Sequence, residues 1–184
     1  MENKKYQIIY ADPPWCYKDK ALTGNRGAGC KYNVMSNIDL INMSEQIKSI
    51  SDINCCLFMW VTMPKLNECF ELIKAWGFVY KTVAFTWIKQ NKVSDTYFMG
   101  MGRWTRANAE LCLIVTKGKP KRINAGISSL IISHRGKHSQ KPNEVREKKI
   151  KLCGDIPRIE LFARENVEGW DCWGNEVESD IKLF

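Results

Sequence analysis

An acid, two prolines and an aromatic, Asp12-Pro13-Pro14-Trp15, follow directly on the apolar run Tyr6-Gln7-Ile8-Ile9-Tyr10-Ala11. Proline fixes φ and carries no N–H, so the two prolines make a stiff turn that offers mainly acceptors. The exocyclic amino group of a nucleobase is a poor nucleophile because its lone pair is delocalised into the ring, and it carries two N–H donors. The Asp12 carboxylate and the Pro13 carbonyl could accept both protons, favour a tetrahedral nitrogen and aim its lone pair at an electrophile. Trp15 is expected to stack on the ring. No base with a shifted pKa is needed beforehand, since the nitrogen turns acidic only once alkylated. The competing reading of the same residues is a plain turn after a strand, with a Trp that packs.

The elements around this stretch must place Asp12 at a rim. Tyr6 to Ala11 has the β-branched and aromatic content of a strand buried on both faces, and ligands bind at the carboxyl ends of strands in open α/β sheets. Ser44 to Ile50 reads as a short helix and Ile53 to Thr62 as a second strand. Leu66, Phe70, Ile73 and Trp76 recur at helical spacing from about Pro64, and Gly77 is the natural C-cap. Phe78 to Lys89, Ala109 to Lys117, Leu130 to Ile132 and Arg158 to Ala163 read as further strands, and Val145 to Cys153 as a helix entered through Pro142. Strand, helix, strand in succession predicts an α/β sheet.

Two basic segments interrupt these elements. Residues 16–37 hold Lys18, Arg26 and Lys31 among three glycines, with no periodicity, and are expected to form a long mobile loop beside the proposed turn. Their glycine spacing fits neither a P-loop nor a dinucleotide fingerprint. Residues 89–106 carry Lys89, Lys92, Arg103 and Arg106 interleaved with Tyr97, Phe98 and Trp104. Cations beside aromatics suit a single strand or a flipped base, since phosphates attract charge and exposed bases need stacking faces. A surface loop whose aromatics pin it to the core fits those residues equally.

The chain of 184 residues is long enough for one domain with a substantial core, and it bears a formal net charge of +8, which favours a polyanionic partner. None of its eight cysteines forms a C-x-x-C pair, so all are read as reduced, in a cytoplasmic protein. No signal peptide or membrane span is evident. His134 and His138 are four apart, but Gly136 between them and the lack of a third ligand argue against metal.

Asp-Pro-Pro-Trp after a strand resembles the catalytic motif of the MT-A-seventy family of adenine amino-methyltransferases. Leu57-Phe58-Met59-Trp60-Val61-Thr62, Trp87-Ile88-Lys89, Glu110-Leu111-Cys112-Leu113, Ser139-Gln140-Lys141-Pro142, Ile159-Glu160-Leu161-Phe162-Ala163-Arg164 and Gly169-Trp170 through Gly174-Asn175-Glu176 extend the likeness in the family's order. The resemblance implies a Rossmann-like S-adenosylmethionine-dependent methyltransferase sheet flanked by helices. Its motif order is circularly permuted, with the catalytic motif N-terminal and the cofactor motif C-terminal. It implies Asp12, Pro13, Pro14 and Trp15 as catalytic residues, Lys141 for the donor's carboxylate, and Phe162, Arg164, Asn166, Asn175 and Glu176 around its adenosine. Many members carry a further acidic segment upstream of the motif. Here only eleven residues precede Asp12, which leaves Asp12 to serve donor as well as substrate, or leaves donor binding weak.

The expected activity is therefore methyl transfer from S-adenosylmethionine to adenine N(6) in nucleic acid, DNA ahead of RNA, without metal. The alternatives are an RNA adenosine methyltransferase, an inactive nucleic-acid-binding partner subunit, or a methyltransferase of small molecules or proteins. With no separate target-recognition domain expected, Lys18, Arg26, Lys31, Lys89, Arg103, Trp104 and Arg106 are the candidate nucleic-acid contacts, helped by a homodimer or a partner subunit.

Overall fold

The computed structural model describes residues 4–17, 34–102, 104–136 and 140–184. Lys18, Arg26, Lys31 and Arg103 lie outside the described residues, as does the expected loop between 18 and 33.

Among the described residues seven strands form one mixed sheet in the order β5-β3-β4-β2-β1-β6-β7. They are β1 (Tyr6–Ala11), β2 (Ser51–Val61), β3 (Val79–Gln90), β4 (Ala109–Lys117), β5 (Leu130–His134), β6 (Arg158–Leu161) and β7 (Asp171–Trp173). β1 pairs parallel with both β2 and β6, β6 with β7, and β3 with β5. Only β4 runs against its neighbours β2 and β3. The parallel strands thus share one carboxyl rim, and β1, with Asp12 just beyond it, sits inside the sheet between β2 and β6.

Helices cover both faces, which is why β1 and β2 read as nearly unbroken apolar runs. On one face α1 (Asn37–Asn42), α2 (Ser44–Ile50) and α3 (Leu66–Ala75) bury Leu40, Ile47, Leu72 and Ile73 against Ile9, Leu57 and Met59. Trp76 donates its indole N–H to Leu40 O at 2.8 Å and so ties the end of α3 to α1. On the other face α4 (Glu144–Cys153) sets Val145 and Cys153 against Ile8, Tyr10, Phe58 and Trp60. Among the described residues no helix is long and apolar enough to cross a membrane.

The expected strands and helices are present, with ends displaced by a few residues. Three features depart from expectation. A capping box, in which Ser36 Oγ accepts from Asp39 N–H at 3.2 Å and Asp39 Oδ2 accepts from Ser36 N–H at 3.0 Å, starts α1 inside what reads as loop. β7 is three residues long, too short to show a period. The segment after β3 is hydrogen-bonded rather than irregular: bridges pair Gln90 with Tyr97 and Gly100 with Ala107, so it is a folded arm between β3 and β4.

Candidate active site

The Asp12 turn is held from three sides. Trp15 N–H donates to Pro13 O at 2.8 Å, Met35 N–H to Pro14 O at 2.9 Å, and the Trp15 indole N–H to Trp60 O at 3.1 Å. The first two bonds use the proline carbonyls, which lie beyond the end of β1. A carbonyl oxygen has two lone pairs, so Pro13 O retains one for a substrate donor. Trp15 is only 5% exposed and packs in the core with Ile9 and Met59. The expectation that its ring stacks on a base is therefore corrected: in this structure Trp15 anchors the turn from below.

Asp12 opens a line of charges. Lys141 Nζ lies 2.6 Å from Asp12 Oδ2 and 3.4 Å from Glu110 Oε2, and Lys89 Nζ lies 2.5 Å from Glu110 Oε1. All four side chains come from the carboxyl rim of the parallel strands or from the opening of antiparallel β4, so sequence-distant residues meet there. The two lysines also lie over aromatic faces, Lys141 over Trp60 at 5.6 Å and Lys89 over Trp87 at 5.0 Å. Burial raises the Asp12 carboxyl above its ordinary value, against the pull of Lys141. Burial would raise Glu110 as well, but Lys141 and Lys89 together hold it below the usual carboxylate range. The two acids flank one ammonium, and only Asp12 is left easy to protonate.

Beside Asp12 lies a cavity of about 460 Å³ lined by Asp12, Lys141, Phe162, Arg164 and Glu176 together with Tyr10, Gln140, Arg146, Glu160 and Glu165. That volume suits a small-molecule ligand. Arg146 grips Glu160 through Nε at 2.7 Å and Nη2 at 3.1 Å, and reaches Glu165 at 3.0 Å. Arg164 Nε stands 3.3 Å from Glu176 Oε1 across the mouth. Phe162 takes a left-handed backbone, φ 61°, at the end of β6, and meets Trp173 edge to face at 5.6 Å. A bulky residue in that conformation is strained and persists where its surroundings fix it. Here Ala163 N–H bonds Trp173 O at 3.0 Å, and Gly174 sits so close that a Cβ would meet Ala163 O at 2.2 Å. The rim loop is thereby folded back beside the cavity.

Five of the seven residues assigned to the donor thus come together around one cavity, and two do not line it. The Asn166 amide points to Cys172 Sγ at 3.6 Å and Glu178 O at 3.4 Å, fastening the C-terminal segment. Asn175 is exposed in the turn after β7. Of the described residues assigned to nucleic acid, Trp104 is 94% exposed and Arg106 is exposed, whereas Lys89 is turned into its pair with Glu110. Lys89 therefore braces the base of the arm and does not face solvent phosphates. No site role was assigned from sequence to Tyr10, Glu160, Arg146 or Glu110, although Glu160 and Glu110 lie in stretches that carry the family resemblance. A signal existed for the first two, since Tyr10 and Glu160 are register partners one step before the rim on adjacent strands.

The residues suit a methyl donor. Lys141, Arg146 and Arg164 supply cations for a carboxylate, Glu176 an acid for a ribose diol, and Phe162 an apolar face for a base. Among the described residues no group of three or more His, Cys, Asp or Glu side chains could hold a metal ion.

Comparison with known proteins places this geometry. The chain is 36% identical to the Type II methyltransferase M.MunI of a Mycoplasma species, over 96% of this chain and 80% of that protein. It is 26% identical to the human N(6)-adenosine-methyltransferase catalytic subunit METTL3 and 26% identical to a Drosophila melanogaster N(6)-adenosine-methyltransferase MT-A70-like protein, in each case over 95% of this chain. The chain spans 28% and 27% of those two proteins. The MT-A70 family profile matches residues 6–176, from the strand that delivers Asp12 to the glutamate at the cavity mouth, and the chain belongs to the MT-A70 family.

Proposed function

We propose that this methyltransferase moves the methyl group of S-adenosylmethionine to the N(6) amino group of adenine in nucleic acid, DNA ahead of RNA. The observation that carries the reading is the Asp12-Pro13 acceptor pair at the edge of a cavity that holds Lys141, Phe162, Arg164 and Glu176. The preference for DNA rests on the higher identity, and fuller coverage, of the Type II methyltransferase over the adenosine methyltransferases.

In this reading Asp12 accepts one amino N–H and Pro13 O the other, which turns the nitrogen lone pair out of the ring plane. S-adenosylmethionine supplies an activated methyl carried on a sulfonium. Lys141 keeps Asp12 aligned through its 2.6 Å contact and adds positive charge where a donor carboxylate would lie. Trp15, locked to Trp60 O, holds the turn so that neither acceptor has to reorganise during transfer. Trp104 and Arg106 on the arm meet bases and phosphates around the target. The test is transfer of labelled methyl to single- and double-stranded DNA and RNA, with the product identified by nucleoside analysis. N(6)-methyladenine in DNA supports the reading. Label only in RNA would favour the adenosine-methyltransferase alternative, and no label in any nucleic acid would overturn both.

A further inference from the structure

The opposite rim of the sheet carries a second cavity, of about 340 Å³, whose lining includes Gln7, Asn54, Lys119, Lys121, Ile123 and Ile156. Gln7 and Asn54 lie near the starts of β1 and β2, and the lysines follow the end of antiparallel β4. This end of the molecule takes no part in the site above. The chemistry of its walls differs as well. Asp12, Glu160, Glu165 and Glu176 line the first cavity, whereas none of the described residues lining the second is acidic.

The basic turn beside this cavity is held to one shape. Lys117, Lys119, Lys121 and Arg122 lie close together there, and no Asp or Glu occurs between Glu110 and Glu144. Gly118, at φ 65°, packs where a Cβ would strike Ile53 O at 2.1 Å, and Ile123 N–H bonds Leu152 O at 2.9 Å. The turn is thus fixed at one end to β2 and at the other to α4. Asn54 Oδ1 accepts from Lys119 N–H at 2.7 Å. That bond settles which end of the amide is oxygen, so Nδ2 keeps its N–H donors for another partner. Among the described residues neither Lys119 nor Lys121 pairs with a carboxylate, in contrast to Lys89 and Lys141. Two ammonium groups and two side-chain amides therefore converge on one cavity whose walls carry no negative charge.

A phosphate ester brings the charge and the several acceptor oxygens that such walls can satisfy, and lysine binds it as a point charge. The rest of the wall is apolar, through Ile156 and through Ile123, which is 65% exposed. We propose that this cavity binds the phosphate of a nucleotide. Lys119, Lys121, Gln7 and Asn54 Nδ2 surround the phosphate, and Ile123 and Ile156 lie against the sugar or base. A free nucleotide and a nucleotide within a strand offer the same group, and the two sources are separated by experiment.

Phenyl phosphate is the first probe, because it joins a phosphate to a flat apolar ring and has no adenosine for the first cavity. Calorimetry on the full chain should show it bound at a single site. The double variant Lys119→Ala, Lys121→Ala, and separately Gln7→Met, should each weaken binding by about tenfold or more, the loss expected when a hydrogen bond to a charged group is removed. No binding, or wild-type affinity in either variant, would overturn the proposal. A footprint on the unmutated protein is independent of how the variants fold. Phenyl phosphate should slow acetylation of Lys119 and Lys121 by an N-hydroxysuccinimide ester, read by peptide mass mapping, and leave the exposed Lys74 of α3 unaffected. Equal slowing at Lys74 would mean diffuse charge binding and sink the site. The same footprint with adenosine monophosphate, and with a synthetic single strand lacking terminal phosphates, identifies the source. Protection by the monophosphate alone assigns the site to a free nucleotide, and protection by the strand assigns it to a nucleotide within nucleic acid. Protection by neither would remove nucleotides as the ligand and overturn the inference.

Discussion

At the scale of single residues, Lys141 is the hinge of the site, because the same ammonium pairs with Asp12 and with Glu110. Asp12 must be ionised to accept an amino proton, and burial has already raised its pKa above that of an ordinary carboxylate. Methyl transfer should therefore fall away on the acid side at a pH above the 3.8 of an exposed aspartate. Lys141 opposes that rise, so Lys141→Met should move the acid limb to still higher pH. The check is single-turnover transfer against pH at saturating donor; an unmoved limb would mean that Lys141 does not set the Asp12 charge. Asp12→Ala should cost about a hundredfold or more in rate while thermal unfolding stays normal, since one oriented acceptor is worth about 3 kcal/mol in a transition state. Trp15→Ala differs in kind. It leaves a large hole beneath the turn, so it should lower stability by about 3–5 kcal/mol along with activity, as denaturant unfolding would show.

At the scale of elements, α4 holds the least expected residue of the chain. Lys149 is fully buried, with Nζ directly over the Tyr10 ring and within 6 Å of the Phe58 and Trp170 rings, and among the described residues it has no hydrogen-bond partner. Burial drives its pKa well below 10.5, so folding removes a proton that the unfolded chain keeps. Stability is therefore lost as pH falls from 10.5 toward the depressed value and is flat below it. Lys149→Met keeps the volume without the amine and should raise stability by about 1–3 kcal/mol near neutral pH. The gap should close as pH approaches 10.5, and thermal melts of both proteins across that range decide it. Sequence periodicity did not reveal this, because a lysine among polar neighbours on a basic helix reads as solvated surface. It did reveal β1, α3 and β4, whose apolar runs end at prolines and glycines. α1 was overlooked although Ser36 and Asp39 spell its cap, and β7 was hidden by its length. The DPPW turn was legible because its chemistry is contiguous. The Tyr10, Glu160 and Arg146 side of the cavity was not, because strand order alone brings β1, β6 and α4 together.

At the scale of the whole molecule, the net charge of +8 has to be read with the place of the exposed aromatics. The arm between β3 and β4 leaves the same rim as Asp12, and the Lys89–Glu110 pair at its root is joined through Lys141 to Asp12. Val93, Met99, Met101 and Trp104 are 96%, 67%, 84% and 94% exposed along it, an apolar display that its own fold does not use. On a basic protein whose reaction needs a base out of its stack, that display suits unpaired bases, since extrusion from a duplex costs a few kcal/mol that open sites largely avoid. Adenine in single strands or mismatches should then be methylated at least as well as paired adenine. Two variants separate stacking from charge. Trp104→Ala should weaken nucleic-acid binding by about 1–3 kcal/mol while leaving its salt dependence unchanged, because no counterion is involved in losing a stacking face. Arg106→Ala should weaken binding less at high salt than at low salt, and should reduce the slope of log affinity against log salt by about 0.7 on a single strand. Fluorescence anisotropy with a labelled oligonucleotide over a salt series measures both. If neither variant moves the affinity, or if only perfect duplex is methylated, the arm does not carry the substrate, and a homodimer that grips duplex from another face becomes the better account.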